Sequence, residues 1–193
     1  MGGDDKRVLQ PGERRPLLER CAHLAAARRR RRRRRVARGL LAHRLQRVAS
    51  QGPITFVNDS KATNGVAAAC ALAAYDSIYW IAGGEAKEDG LGPAAEATAN
   101  VERAYLIGSA AQDFAQALRG RFPIMLAGDL ETATAAAFSD AAAATPADGS
   151  ATILLSPAAA SFDQFASFVA RGEAFCAIAH RLAGSANRGG AHA

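Results

Sequence analysis

The chain is poor in aromatic residues and cysteine, and it contains no long apolar run. Only 6% of its 193 residues are aromatic, and one of them is a tryptophan. No segment approaches the ~18 consecutive apolar residues of a membrane-spanning helix, which excludes such a helix. The cysteines Cys21, Cys70 and Cys176 are odd in number and far apart, so their spacing fits neither a disulfide framework nor a metal site. With no signal-peptide pattern either, we expect a cytoplasmic protein without a membrane partner or a bound metal.

Charge is unevenly distributed along the chain. Residues 1–50 contain 16 of the 24 Lys and Arg residues and 4 of the 18 acidic residues, whereas the remainder carries a net negative charge. The same 50 residues lack Phe, Trp and Tyr, and they include eight consecutive arginines, Arg28 to Arg35. Such a block repels itself and cannot bury enough apolar surface to fold. We therefore predict that residues 1–38 form an Arg-rich disordered or aberrant segment, and that the small, polar residues 184–193 form a flexible tail.

Between these ends, strand patterns and helix patterns alternate. The predicted strands cover residues 54–57, 77–82, 103–107, 122–126 and 151–155, and the predicted helices cover residues 64–75, 109–118, 130–145 and 163–182. Short connections between alternating elements are typical of βαβ units. The pattern predicts a single α/β domain over residues 39–183, with a Rossmann-like three-layer architecture, a mostly parallel sheet and helices on both faces.

Polar side chains follow the predicted strand 54–57 immediately. They are Asn58, Asp59, Ser60, Lys61, Thr63 and Asn64. The N–H groups at the start of the next helix favour an anion, and Lys61 adds a positive charge beside them. This turn therefore predicts a site for a carboxylate or a phosphate. In the alternative interpretation, Asp59 or Thr63 only caps the helix.

A second polar turn, residues 156–165, follows the last predicted strand. Pro157 prevents the strand from continuing, and Ser156 and Ser161 supply hydroxyl groups. Asp163 could instead act only as the cap of the final helix. Because the carboxyl ends of parallel strands lie at one edge of a sheet, the two polar turns are expected to converge there. Together they could hold the two ends of a small diacid.

Two other features, a Gly-rich loop and an arginine in the last helix, also contain charged side chains. The Gly-rich loop at residues 83–92 contains Lys87 but lacks the spacing of a phosphate-binding P-loop, so we interpret it as a flexible turn. Arg171, in the last predicted helix, is interpreted as either an ion-pair partner or an exposed residue.

Four segments of the chain resemble one protein family. They are Val57-Asn-Asp-Ser-Lys-Ala-Thr-Asn64, Tyr79-Trp-Ile-Ala-Gly-Gly84, Ala104-Tyr-Leu-Ile-Gly108 and Leu154-Leu-Ser-Pro-Ala-Ala-Ala-Ser-Phe-Asp-Gln-Phe165. In this order they resemble the bacterial Mur ligases of peptidoglycan synthesis, and specifically the members that add D-glutamate.

The resemblance implies a reaction and a set of binding residues. It implies that ATP and Mg²⁺ serve the full enzyme, which joins D-glutamate to UDP-MurNAc-L-alanine through an acyl phosphate. It further implies that Lys61 holds the α-carboxylate of D-glutamate, while Ser161 and the backbone N–H of Phe168 hold the side-chain carboxylate. The family enzymes have three domains, and the four segments correspond to the third. We therefore expect a truncated fragment that lacks the N-terminal and central Mur domains, binds no cofactor by itself and is inactive alone.

Two other interpretations stay open. A detached domain could use the Arg28–Arg35 arm to bind nucleic acid, but this arm lacks interleaved aromatic residues, so nucleic acid is not the partner we expect. The chain could also be one subunit of a split Mur ligase that docks onto separately encoded N-terminal and central domains.

Overall fold

The computed structural model describes residues 42–189. The predictions for the Arg-rich segment, for the domain start at residue 39 and for residues 190–193 lie outside this range. The strands are β1 (Gln46–Gln51), β2 (Ile54–Asn58), β3 (Ile78–Gly83), β4 (Val101–Ile107), β5 (Ile124–Gly128) and β6 (Ala151–Leu155). The helices are α1 (Gly65–Leu72), α2 (Ala111–Ala117), α3 (Leu130–Ala144) and α4 (Phe168–Gly189), together with a short 3₁₀ helix at Gly92–Ala95.

The six strands form one sheet in the order β1-β2-β6-β3-β4-β5. All neighbouring pairs from β2 to β5 are parallel, and only β1 runs antiparallel, against β2. The predicted mostly parallel sheet is therefore confirmed. Strand β1 was not predicted, because its residues are mainly polar or small and include only one β-branched side chain, Val48.

Helices cover both faces of the sheet, which confirms the three-layer prediction. On one face, α1, α2 and the 3₁₀ helix pack over a core that includes Leu72, Trp80 and Phe114. On the other face, α3 and α4 pack over a core that includes Phe56 and Phe175. Strands β3 and β6 are buried along their whole length, as expected for strands covered on both sides. Of the helices described, none has the length and apolar character needed to cross a membrane.

The register of the central strands places two loops at one edge. Asn58 at the end of β2 and Ile81 in β3 both pair with Leu155, the last residue of β6. The chain then leaves β2 toward α1 on one face, while it leaves β6 toward α4 on the opposite face. Such a divergence between adjacent parallel strands opens a crevice at their carboxyl ends, where α/β proteins bind ligands. The two polar turns predicted to converge therefore start side by side.

The ends of the last helix differ from the prediction. The helix begins at Phe168, five residues later than predicted, and it runs to Gly189. It therefore extends into the segment 184–193 that we expected to be a tail. Residues 161–167 are instead used in a turn that leads the chain from β6 to the start of α4.

Candidate functional site

The loop after β2 is fixed by its own polar side chains. The Asn58 side chain accepts a hydrogen bond from the Ser60 N–H (3.0 Å) and donates one to the Gly172 carbonyl (2.9 Å). The Asp59 carboxylate accepts a hydrogen bond from the Ser156 hydroxyl at 3.0 Å. Asn58, Asp59, Ser60 and Ser156 are all buried. Four of the predicted supporting residues therefore join the loop after β2 to the loop after β6 and to α4.

Asn64, rather than Asp59 or Thr63, caps helix α1. Its backbone is extended (φ −153°), and its side-chain oxygen accepts a hydrogen bond from the Ala67 N–H at 2.9 Å. The predicted caps are wrong because the helix starts at Gly65, which leaves Asp59 too far from the helix and directed toward the loop after β6. Thr63 is half-buried in the same turn.

Lys61 is exposed, although Asn58, Asp59 and Ser60 before it and Ala62 after it are buried. Its ammonium nitrogen lies 5.9 Å from the centre of the Phe168 ring. The neighbouring Ser60 hydroxyl donates a hydrogen bond to the Phe168 carbonyl at 2.8 Å. Within residues 42–189, no acidic side chain forms a salt bridge with Lys61. The lysine therefore presents a positive charge to solvent beside the first turn of α4.

Arg171 connects the two polar loops, a role that was not predicted from the sequence. The side chain is 1% exposed. Its Nε donates to the Ser60 hydroxyl (3.0 Å), and Nη2 donates to the carbonyls of Ser60 (3.0 Å) and Ala159 (3.1 Å). Its Nη1 donates to the carbonyls of Ala160 (3.0 Å) and Gly83 (3.5 Å). The prediction of an exposed residue or an ion pair is wrong, because the acceptors are carbonyl and hydroxyl oxygens.

The position of Arg171 brings two predicted site residues close to each other. Ser60 immediately precedes Lys61, and Ala160 immediately precedes Ser161. Both preceding residues accept hydrogen bonds from the one guanidinium group, so a single planar group separates the two backbones. Lys61 and Ser161 therefore belong to the same edge of the molecule.

The buried guanidinium adds positive charge to this edge. Burial lowers the pKa of Arg171 to about 10, and the charge of Asp163 acts in the opposite direction. The group therefore stays cationic at neutral pH. Its five N–H donors are directed at neutral oxygens, so its charge is not cancelled by a hydrogen-bonded carboxylate. The resulting positive potential favours an anionic ligand.

Ser161 lies in a turn at the end of the second loop. The residue is 2% exposed, and its carbonyl accepts hydrogen bonds from the N–H groups of Gln164 (3.1 Å) and Phe165 (2.7 Å). No other residue of the described range forms a hydrogen bond with its hydroxyl group. The Ser161 hydroxyl is therefore available to a ligand.

Asp163 does not cap the last helix, contrary to one of our interpretations. Its carboxylate accepts a hydrogen bond from the Ser109 N–H at 2.9 Å, which connects this turn to the loop after β4. The Ser167 hydroxyl accepts a hydrogen bond from the Ala170 N–H at 3.1 Å and so takes the capping role at α4. The predicted cap failed because the helix begins five residues after Asp163.

The Gly-rich loop after β3 supports the site through a close backbone contact. Glu85 and Ala160 form a short antiparallel bridge. Gly84 has φ of +127°, and a Cβ atom at this position would lie 2.1 Å from the Ala160 carbonyl oxygen. Only glycine fits at position 84, where the second polar loop packs, and a Cβ atom at Gly83 would instead lie 2.0 Å from the Ile107 carbonyl oxygen of β4.

The site suits an organic anion better than a metal ion. In the described part of the chain, no group of three or more His, Cys, Asp or Glu side chains could hold a metal. Lys61, the Ser161 hydroxyl and the first N–H groups of α4 instead offer hydrogen-bond donors, and Arg171 adds a buried positive charge. Donors on two loops at one edge can bind two carboxylates of the same small molecule.

Comparison with known proteins gives one family. Residues 43–159 match the family model described as Mur ligase, glutamate ligase domain. The chain is 51% identical over 142 residues to a UDP-N-acetylmuramoylalanine--D-glutamate ligase of Caulobacter sp. (strain K31), with 74% of this chain and 30% of that protein covered. It is 50% identical over 143 residues to the enzyme of that name from Phenylobacterium zucineum (strain HLK1), with 74% and 30% covered. It is 52% identical over 135 residues to the one from Rhizobium meliloti (strain 1021), with 70% and 29% covered. The chain thus spans about 30% of the length of these curated relatives.

Proposed function

Since this chain belongs to the Mur ligase family through its glutamate ligase domain, we propose that its described domain binds D-glutamate for a peptidoglycan ligase. The ligase would join D-glutamate to UDP-MurNAc-L-alanine, and the names of the relatives pair D-glutamate with UDP-N-acetylmuramoylalanine. The reaction belongs to the whole enzyme, and residues 42–189 would contribute its binding site for the amino acid.

The observation that supports the proposal is that Ser60 and Ala160, the residues immediately before Lys61 and Ser161, both accept hydrogen bonds from the Arg171 guanidinium group. Lys61 would bind the α-carboxylate of D-glutamate through a charge-assisted hydrogen bond. The Ser161 hydroxyl and the Phe168 N–H would bind the side-chain carboxylate. Phe168 is the first residue of α4, where backbone N–H groups have no acceptor within the helix and favour an anion.

This arrangement assigns the domain a positioning role in the reaction. A substrate held at both carboxylates has its amine fixed in one direction, and such orientation raises the rate of attack on an activated acyl group. The five hydrogen bonds of Arg171 keep the two loops at a constant spacing. The domain therefore selects an amino acid with two acidic groups at a defined separation.

We propose that this domain alone binds neither ATP nor Mg²⁺. Residues 42–189 include no group of three or more His, Cys, Asp or Glu side chains that could hold a metal, and Gly84 of the Gly-rich loop packs against the Ala160 carbonyl. In the proposed enzyme, ATP supplies the phosphoryl group that activates the acceptor carboxylate. We propose that other parts of the enzyme bind it, and that this domain alone does not catalyse the ligation. Phosphate release by the chain alone with ATP, D-glutamate and the acceptor would contradict this.

An NMR titration of the chain with D-glutamate tests the proposed binding site. We expect weak binding, because such sites are completed when domains close, with amide shifts at residues 60–61, 161 and 168. Lys61→Ala should weaken binding by roughly tenfold or more, and Ser161→Ala by about five- to thirtyfold, for one lost hydrogen bond to a charged group. Arg119→Ala removes an exposed positive charge just after the end of α2 and is the matched control. Equal effects of Lys61→Ala and Arg119→Ala would refute the site.

A further inference from the structure

The Lys61 side chain has an aromatic neighbour that the proposed function does not use. The ammonium nitrogen lies 5.9 Å from the centre of the Phe168 ring, within the range of a cation–π interaction. The proposed ligand contact of Phe168 is its backbone N–H, so its ring has no assigned role. The ring is half-buried and Lys61 is exposed, so the contact lies at the rim of the site.

The backbones of the two residues are fixed relative to each other. The Ser60 hydroxyl donates to the Phe168 carbonyl at 2.8 Å and accepts a hydrogen bond from Arg171 Nε at 3.0 Å. The Lys61 N–H donates to the His43 carbonyl at 3.0 Å. The first turn of α4 and the loop after β2 therefore do not move independently, and the ring stays within reach of the ammonium group.

A lysine without such a contact is a poor anchor for a ligand. Its four-carbon side chain is flexible, and ordering it on binding has an entropic cost. The described residues provide no carboxylate that pairs with the ammonium group and would hold it in one place. An aromatic face attracts the cation without neutralising it, so the charge remains available to an anion.

We propose that Phe168 is a positioning residue whose ring holds the Lys61 ammonium group where the α-carboxylate of D-glutamate binds. The inference rests on the proposed function, because it assigns Lys61 to that carboxylate. It adds a specificity element to the site. The one phenylalanine contributes its backbone N–H to one carboxylate of the ligand and its ring to the lysine that binds the other.

Lysine NMR on the full chain tests the positioning without relying on a ligand. The sequence contains three lysines, Lys6, Lys61 and Lys87, so ¹³C-dimethylation, which keeps the charge, gives a simple spectrum. Lys61→Arg assigns the Lys61 signal. We expect this signal to be shifted upfield by the ring in the wild-type chain, to lose that shift in Phe168→Leu, and to keep it in Phe168→Tyr. Lys87 is exposed and serves as the internal control.

D-Glutamate titration of the same variants provides the functional readout. Phe168→Leu should weaken binding about two- to fivefold, as expected for loss of an exposed cation–π contact, and Phe168→Tyr should bind as the wild type does. Should Phe168→Leu fail to fold, the wild-type and Phe168→Tyr spectra still decide whether the upfield shift exists. An unshifted Lys61 signal in the wild type, or an unchanged one in Phe168→Leu, would overturn the positioning role. D-Glutamate binding that is insensitive to Lys61→Ala would refute the proposed function instead, whatever the position of the lysine signal.

Discussion

Replacing Arg171 with alanine should strongly destabilise the domain. The substitution removes five hydrogen bonds, and in a buried region the Ser60 and Ala159 carbonyls lose the arginine donor, whereas the Ala160 carbonyl keeps the Glu85 N–H. Each hydrogen bond contributes roughly 1 kcal/mol net, so the loss is about 5 kcal/mol before compensation. Part of this loss is compensated, because the variant no longer has to bury the charged Arg171 guanidinium group away from water. We therefore expect the free energy of unfolding to fall by about 3 kcal/mol, which is a large part of the roughly 5–15 kcal/mol available to a domain.

Urea unfolding measured by Trp80 fluorescence provides the assay. Trp80 is the one tryptophan of the chain, is fully buried, and donates a hydrogen bond to the Ser156 carbonyl at 2.8 Å. Arg181→Ala is the matched control on the same helix, because Arg181 is 57% exposed and its ion pair with Glu131 lies at the surface. We expect the control to change stability by about 0–1 kcal/mol. Equal unfolding midpoints for the two variants would refute the assigned role of Arg171.

Three further predictions concern pH, backbone conformation and capping. Burial and a hydrogen bond to a carboxylate raise the pKa of Tyr105 above its ordinary value of 10.0. The contribution of the Tyr105 hydroxyl to the free energy of unfolding is therefore complete below pH 10 and is lost as the pH rises further. The difference in urea midpoint between wild type and Tyr105→Phe should shrink above pH 10, and a constant difference would contradict this. Gly84→Ala should lower the free energy of unfolding by about 2–3 kcal/mol, because the new Cβ meets a backbone oxygen at 2.1 Å. Gly120→Ala, also at positive φ but in open space, should lower it by only about 1–2 kcal/mol. Equal urea midpoints for the two variants would contradict the packing argument. Asn64→Ala should lower stability by about 1 kcal/mol and Thr63→Ala by less, and the reverse order in thermal unfolding would show that the cap is misassigned.

The sequence predicted the parallel core of the fold because its strands are short apolar runs bounded by turn residues. The last strand, Ala151–Leu155, was predicted with its observed bounds, and the sheet edge shared by the two polar loops followed from the α/β pattern. Strand β1 was missed because its stability comes from pairing with β2 at the edge of the sheet, and its polar residues show no strand periodicity. The starts of α2 and α4 were less accurate, since they were predicted at residues 109 and 163 and lie at Ala111 and Phe168, whereas α3 begins at Leu130 as predicted.

The role of Arg171 could not be predicted from the sequence. An arginine within a helical pattern is normally exposed, and no local signal shows that its acceptors are carbonyl groups distant in sequence, on Ser60 and Ala159. Only the three-dimensional arrangement brings the two loops close enough for one side chain to contact both. The pattern Arg171-Gly172 partly indicates a buried position, because a small residue beside a long polar one permits close packing. A Cβ atom at Gly172 would lie 2.2 Å from the His43 ring.

The most direct test of the central claim compares ligands that each lack one carboxylate. D-Norvaline keeps the α-carboxylate, and 4-aminobutyrate keeps only the distal carboxylate of glutamate. In NMR titrations of the chain, Lys61→Ala should weaken binding of D-norvaline and leave that of 4-aminobutyrate unchanged, while Ser161→Ala should do the opposite. Both variants weakening both ligands equally, or neither variant affecting either ligand, would contradict the claim that the two loops bind opposite ends of one amino acid.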